Sequence, residues 1–260
     1  MYNTTRLGRQ RPVRVGSGLL PSISVVLPAY NEEESIPRTV ANVVEALQDL
    51  CEDYEIVVVN DGSRDRTAQV TLALAQQYPQ VRLVRHEVNK GYGAALYTGF
   101  ISARKDLVFM TDGDAQFDVR EIRLLLPLLE GADLAVGYRN PRRDPFHRLL
   151  YAWGWNLLIN LLFGYTVRDV DCAFKLFRRG ILNDFVVESR GATFSTEFLV
   201  RAKRTGHRIR EAGVTHLPRQ AGKPTGGRPD VVIRAFKELI RFRWRLFREP
   251  RRPVQYREGT

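Results

Sequence analysis

The feature that most limits what this chain can become is a regular alternation of short apolar runs and longer helical stretches across its first half. Residues 23–27, 55–59, 81–85, 107–110 and 134–136 read as buried strands. Residues 33–50, 66–78, 91–105 and 119–130 read as the helices between them, the second opened by the capping candidate Asp65. Strands joined through helices pair in parallel, with the helices covering both faces of the sheet. The expected class is therefore α/β, with a mostly parallel central sheet. In such sheets ligands bind beyond the carboxyl ends of the strands.

Three of those ends carry polar clusters: Pro28-Ala-Tyr30-Asn31-Glu32, Asn60-Asp61-Gly62-Ser63 and Asp112-Gly113-Asp114-Ala-Gln116. The last is the most telling. Two carboxylates one residue apart close a buried strand, and unpaired charge there is costly. A divalent cation is a natural partner, since Mg²⁺ takes one or two protein carboxylates and fills its other positions with water and phosphate oxygens. The cluster therefore suggests a metal-assisted reaction on a phosphorylated substrate.

Length and composition set the frame. The 260 residues suit one large α/β domain or two small ones, and an apolar fraction of 44% permits a sizeable core. Cys51 and Cys172 lie far apart and outside any C-x-x-C spacing, which argues against a zinc site or a disulfide framework and fits a reducing compartment. No apolar stretch follows the basic N-terminus, so no signal peptide is expected. The net charge of +11 is concentrated at the ends, with +4 in residues 1–21 and +6 in residues 228–260. Basic ends attract polyanions, whether nucleic acid or anionic lipid. Charge alone suggests nucleic acid, and no zinc-finger or RRM-like motif accompanies it.

The second half changes character. Residues 149–163 form an apolar block of 15 residues, interrupted by Asn156 and Asn160. A membrane span needs about 20, so the block is either a core helix or an interfacial one carrying paired tryptophans. Residues 231–247 place Val232, Phe236, Leu239 and Phe242 or Phe247 at helical spacing, among Arg234, Lys237, Arg241, Arg245 and Arg248. This is either a basic interfacial anchor or a surface helix packed on its own domain. The expected organisation is a disordered basic arm over 1–20, a folded domain over 21–227, and a basic amphipathic helix and tail over 228–260.

Taken in order, these motifs resemble family 2 glycosyltransferases of the GT-A fold, and within them the dolichol- or polyprenyl-phosphate mannose synthase branch. The resemblance extends through Asn89-Lys-Gly91-x-Gly93, Arg139 after the fifth strand, Asp169 through Phe174-Lys175, Glu197 before Arg-Ala-Lys, and Arg219-x-x-Gly222. It departs at Asn60, where the family commonly has Asp, and at Lys223-Pro224, which precede Thr225 where a serine is usual.

The resemblance implies an inverting hexosyltransferase using Mg²⁺ or Mn²⁺. Asp112, Asp114 and Gln116 would hold the metal, with Asp112 alternatively on the ribose. Pro28, Tyr30, Glu32, Val59, Asp61 and Gly113 would line the nucleotide pocket with them, and Asp61 would pair with base N–H donors. Arg139 and Arg219 suit the diphosphate or the acceptor phosphate, because arginine binds phosphate bidentately with a fixed charge. Arg148, Lys175 and Lys223 are further acceptor-phosphate candidates. Asp114, Glu197 and Arg219 are the implied catalytic set. His216 could reach the metal edge, while His86, His147 and His207 read as packed or solvated. The implied donor is a nucleotide diphosphate sugar, GDP-mannose or UDP-glucose. The acceptor is a polyprenyl or dolichyl phosphate at an anionic membrane surface, reached peripherally from the cytoplasmic side. A glycosyltransferase with a hydroxyl acceptor is the alternative on the same fold. A nucleotidyltransferase is less suited, since those enzymes usually have a Gly-rich basic loop where this chain has Pro-Ala-Tyr-Asn-Glu.

Overall fold

The computed structural model describes residues 22–140, 146–217 and 229–249, with backbone only at 146–150 and 229–232. Seven strands form one sheet in the order β3-β2-β1-β4-β6-β5-β7. They are β1 (Ile23–Ala29), β2 (Tyr54–Asp61), β3 (Val81–His86), β4 (Leu107–Met110), β5 (Leu134–Arg139), β6 (Lys175–Arg178) and β7 (Ile209–Val214). All pairings are parallel except those of β6, which runs antiparallel to both β4 and β5. The helices are α1 (Ile36–Gln48), α2 (Thr67–Gln77), α3 (Tyr92–Ser102), α4 (Ile122–Leu125), α5 (Phe146–Phe163), α6 (Phe194–Arg204) and α7 (Pro229–Arg248).

The α/β alternation through β5 is as expected, with shifted boundaries. β1 and β2 each run two residues further, because Pro28-Ala29 and Asn60-Asp61 continue the parallel ladder. The helix expected over 119–130 is instead α4 between two short 3₁₀ turns. Pro127 supplies no N–H and crowds the carbonyl one turn before it, so a continuous helix cannot pass. Asp65 is not the residue immediately before α2, which is Arg66, but its Oδ1 still accepts the Thr67 N–H at 3.0 Å. β6 and β7 are new. Lys-Leu-Phe-Arg is short and follows a loop, so it carries too little periodicity to read as a strand.

β6 matters most for position. Its antiparallel direction sets Lys175 beside Met110, the last residue of β4, and beside Val136 within β5. The preceding loop with Asp169 and Asp171 therefore arrives at the same edge. Strand order reverses between β1 and β4, the place where α/β sheets open a ligand crevice.

Under that edge an aromatic cluster fastens α3 and α6 to the sheet. The Phe100 ring lies 5.0 Å from Phe177, 5.6 Å from Phe194 and 5.5 Å from Phe198. Phe100→Ala should cost about 3–5 kcal/mol of unfolding free energy in a urea titration, as expected for a large buried side chain whose cavity cannot collapse.

Candidate active site

The loops after β1 and β2 are fastened to each other. The Asn31 N–H donates to Ser63 Oγ at 2.9 Å, the Arg64 N–H to Asn31 Oδ1 at 2.9 Å, and the Glu32 N–H to Thr67 Oγ1 at 2.9 Å. Asn60 accepts the Ser63 N–H at 2.9 Å, so the carbonyl of asparagine suffices where the resemblance would place aspartate. The loop after β4 joins them through Gly113, whose carbonyl accepts from Thr39 Oγ1 at 3.0 Å. A Cβ on Gly113 would sit 3.0 Å from the Pro28 carbonyl oxygen. Asn31 and Ala115, both at φ 56°, are the only non-glycine residues at positive φ among those described. One stands in each of two of these loops. Such backbone costs free energy and concentrates at functional sites.

Asp112, Asp114 and Gln116 stand together at the end of β4. Tyr92 donates to Asp112 Oδ1 at 2.9 Å from the first turn of α3. The Gln116 N–H donates to Asp114 Oδ1 at 3.1 Å, and its side-chain amide to the Leu217 carbonyl at 3.1 Å. Desolvation and then the charge of Asp114 push Asp112 up to about 7, against the pull of the Tyr92 bond, Lys175 and Arg139. Asp112, Asp114, Asp169 and Asp171 share this edge with Arg139 and Lys175. No three His, Cys, Asp or Glu side chains among the described residues form a complete metal cage. A pair of carboxylates with a nearby amide is nevertheless the donor set that suits Mg²⁺ or Mn²⁺ shared with substrate oxygens.

The other expected residues divide. Glu32 accepts from Ser35 Oγ at 2.8 Å within the loop after β1, and Tyr30 is exposed there. Val59 turns its side chain toward Val57 and Ala95 beneath the sheet. Asp61 is buried and accepts the Lys90 and Gly91 N–H groups at 2.9 and 2.8 Å, and its Oδ1 lies 2.6 Å from His86 Nδ1. His86 is thus packed against a carboxylate. Arg139 pairs bidentately with Asp169, Nε to Oδ2 at 2.7 Å and Nη2 to Oδ1 at 2.8 Å, and so faces the β4 edge with its fork set. The buried ammonium of Lys175 donates to the Val170 and Cys172 carbonyls. His216 packs against Phe117 at a 5.4 Å ring separation, and the Leu217 N–H donates to the Gln116 carbonyl at 2.8 Å. Arg219 and Lys223 lie outside the described residues. So does the Arg148 side chain, on the first turn of α5.

Glu197 sits on α6 with no solvent exposure. It accepts from Ser189 Oγ at 2.5 Å, Ser189 N at 2.9 Å, Glu188 N at 3.2 Å, Arg201 Nε at 2.7 Å and Arg245 Nη2 at 3.1 Å. The 188–191 loop it holds rests on α3, where the Ala94 N–H donates to the Arg190 carbonyl at 3.0 Å. The Gly91-x-Gly93 motif is explained by that contact. A Cβ on Gly91 would lie 2.8 Å from the Arg190 carbonyl oxygen, and one on Gly93 2.7 Å from that of Gly191. Sequence reasoning missed Tyr92 and Ser189, and placed Arg245 only among the basic residues of the last helix. Tyr92 lies inside the Gly91-x-Gly93 motif, the one signal that could have drawn attention to it.

Residues 24–186 match the model of glycosyl transferase family 2. The chain is 34% identical over 210 residues to the dolichyl-phosphate beta-glucosyltransferase ALG5A of Trichomonas vaginalis, covering 74% of this chain and 64% of that protein. It is 30% identical over 206 residues to the undecaprenyl-phosphate 4-deoxy-4-formamido-L-arabinose transferase of Photorhabdus laumondii, covering 78% and 62%. It therefore spans somewhat less than two thirds of the length of either relative. Among solved structures, glucosyl-3-phosphoglycerate synthase from Mycobacterium tuberculosis superposes with a TM-score of 0.68 at 20% identity, over 86% of this chain and 78% of that one. That likeness extends the agreement to the GT-A fold.

Burial alone would raise the Glu197 pKa, but the bonds from Ser189 and Arg201 outweigh it and hold the group below the ordinary 4.5. A carboxyl with a depressed folded pKa adds stability that is fully present above the unfolded value and lost as pH falls through the folded one. Stability should therefore fall on acidification below about pH 4.5. Glu197→Gln should cost about 3 kcal/mol near neutral pH, because it leaves two arginines facing a neutral group. It should also flatten the acid limb in denaturant titrations run across pH.

Proposed function

This chain belongs to glycosyl transferase family 2, and from that premise we propose that it moves a hexosyl group from a nucleotide diphosphate sugar to the phosphate of a polyprenyl lipid, with inversion at the anomeric carbon. Relatives named for transfer to dolichyl and undecaprenyl phosphate support the acceptor. The name of the Trichomonas relative favours glucose as the sugar. The observation that carries the reading is the convergence of Asp112, Asp114 and Gln116 at the end of β4, held by the Tyr92 and Leu217 hydrogen bonds. It suits a site that takes a divalent cation together with a diphosphate.

In this reading Asp112, Asp114 and Gln116 would hold Mg²⁺ or Mn²⁺, which would supply Lewis-acid stabilisation of charge on the leaving diphosphate. The loops after β1 and β2, with Pro28, Tyr30, Glu32 and Asp61, flank the nucleotide. Asp61 acts by shaping the 88–91 loop as much as by direct contact, because its oxygens are already engaged. An acceptor phosphate oxygen forms the new bond to the anomeric carbon as the bond to the diphosphate oxygen breaks, and the nucleotide diphosphate leaves with that electron pair. The acceptor is already an anion, so no proton has to be removed. What it needs is orientation and charge balance. Arg139, held by Asp169, supplies one fixed cation, and Arg148, Arg219 and Lys223 are the further candidates. Glu197 accepts five hydrogen bonds, which suits positioning of the 188–191 loop and not proton abstraction. Residues 21–227 form the transferase domain in this proposal, with 228–260 as a basic helix and tail. Among the described residues no helix is long and apolar enough to cross a membrane, which is compatible with peripheral attachment.

The test is transfer from a panel of nucleotide sugars, UDP-glucose and GDP-mannose first, to a short-chain isoprenyl phosphate and to the matching alcohol, with Mg²⁺ or Mn²⁺. Product should form on the phosphate with inverted anomeric configuration by NMR, and chelator should abolish it. Transfer to the alcohol alone would overturn the acceptor assignment. Asp114→Ala should lower kcat on the order of 10³-fold, the scale of losing one electrostatic contact to the transition state. Its thermal unfolding should stay close to that of the wild type.

A further inference from the structure

Helix α7 carries two apolar stripes. Ala235, Leu239, Phe242 and Leu246 face inward and are buried. Phe242 stacks on Phe163 of α5 at 5.1 Å. This face cannot roll. Arg245 bonds Glu188 at 3.0 Å and Glu197 at 3.1 Å, and Arg201 holds Glu249 at 2.9 and 3.0 Å. The expectation of one apolar face is thereby corrected, since Leu239 and Phe242 point in while Phe236 and Phe247 point out.

The outward stripe is Ile233, Phe236, Ile240, Trp244 and Phe247, again at helical spacing. Trp244 is 61% exposed and Phe247 77%. Helix α5 packs beside it through Trp155, whose ring meets Phe236 at 5.4 Å. Its own outward positions, Trp153, Leu157 and Leu161, lie four residues apart on one face, and Leu161 is 76% exposed. Monomeric soluble proteins seldom leave contiguous apolar surface of this kind uncovered.

The charges around the stripe say what covers it. On α7 the outward residues are bordered by Lys237, Arg241 and Arg248 on one side and by Arg243 on the other. Between residues 233 and 248 the single acid is Glu238, which turns inward to accept from Thr193 Oγ1. A second copy laid on this face would bring arginines against arginines, at a like-charge cost. An anionic lipid surface matches both parts: apolar and tryptophan side chains enter the headgroup–acyl boundary while flanking arginines meet lipid phosphates.

We propose that the outward faces of α5 and α7 form a rigid docking platform for an anionic lipid surface. The inference rests on the lipid-phosphate acceptor proposed above, and adds the surface by which the enzyme reaches it.

The experiment is flotation of the full chain with vesicles of phosphatidylcholine alone and of phosphatidylcholine with about 30% phosphatidylglycerol, neither holding a polyprenyl phosphate or a nucleotide sugar. Binding should require the anionic lipid, shift tryptophan emission to the blue and weaken with salt. Trp244→Gln combined with Phe247→Gln keeps the net charge, and should lower the partition coefficient at least about tenfold, since two large side chains lose their burial. The variant's thermal unfolding and its transfer to a water-soluble short-chain acceptor should match the wild type. Undiminished binding by the variant would mean that the basic ends attach the protein without the platform, and would overturn the proposal. So would light scattering showing a wild-type dimer that the substitutions split, with no vesicle binding. A protein that binds vesicles but transfers no sugar sinks the proposed function and leaves the platform standing. One that transfers sugar but ignores vesicles does the reverse.

Discussion

A carboxylate with no exposure to water is among the costliest groups a fold can hold, and it persists only where donors surround it. Glu197 meets that condition with partners from three parts of the chain: the 188–189 backbone and Ser189 hydroxyl, Arg201 one turn along its own helix, and Arg245 from α7. None of the three can leave without stranding charge in the interior. The requirement of one side chain therefore sets where α7 lies, where the 188–191 loop lies, and through that loop how closely the sequence at Gly91 and Gly93 must approach.

From there the constraint reaches the carboxylate edge. The loop rests on the first turn of α3, and Tyr92 in that turn bonds Asp112. On the far side Gly113 is held against Pro28, and Gln116 is bonded in both directions to Leu217. The Asp112–Asp114 pair is thus fixed from α3, from β1 and from the segment after β7, before any ligand is considered. Holding donors in place ahead of the reaction avoids reorganisation when charge develops. The positive φ of Ala115 fits the same picture, as backbone strain retained because its surroundings leave no alternative.

How much of this the sequence revealed follows from the range of the interactions. Strands β1 to β5 were legible because parallel strands buried on both faces are apolar runs, a signal contained in four to eight neighbouring residues. The three strand-end clusters were legible because the parallel topology itself sends every carboxyl end to one edge. β6 was not. Four residues paired to strands far away in sequence have no local signature, and only their antiparallel course explains why Asp169, Asp171 and Lys175 join the edge. The roles that the resemblance implies for Glu197 and Lys175 do not reveal their partners within the protein. Glu197 accepts five hydrogen bonds from the protein, one from as far away as Arg245, and Lys175 donates to two backbone carbonyls. Asn60 shows the opposite case: a departure from the family pattern whose local role, accepting the Ser63 N–H, asparagine fills without a charge.

The two stripes of α7 illustrate why periodicity underdetermines function. Apolar residues at helical spacing show that a helix has an apolar side, but α7 has two, and only one can pack on its own domain. Which one packs is decided by the charges between them. Arg245 and Glu249 lie along the inward stripe and find opposite charges on α6 and the 188 loop. Lys237, Arg241, Arg243 and Arg248 lie along the other, with no carboxylate of this chain placed to meet them in the ion pairs of the described residues. Electrostatics thus orients the helix, and the hydrophobic surplus it turns outward is the consequence. The inner face supports the carboxylate edge through Glu197, and the outer face forms the proposed docking platform.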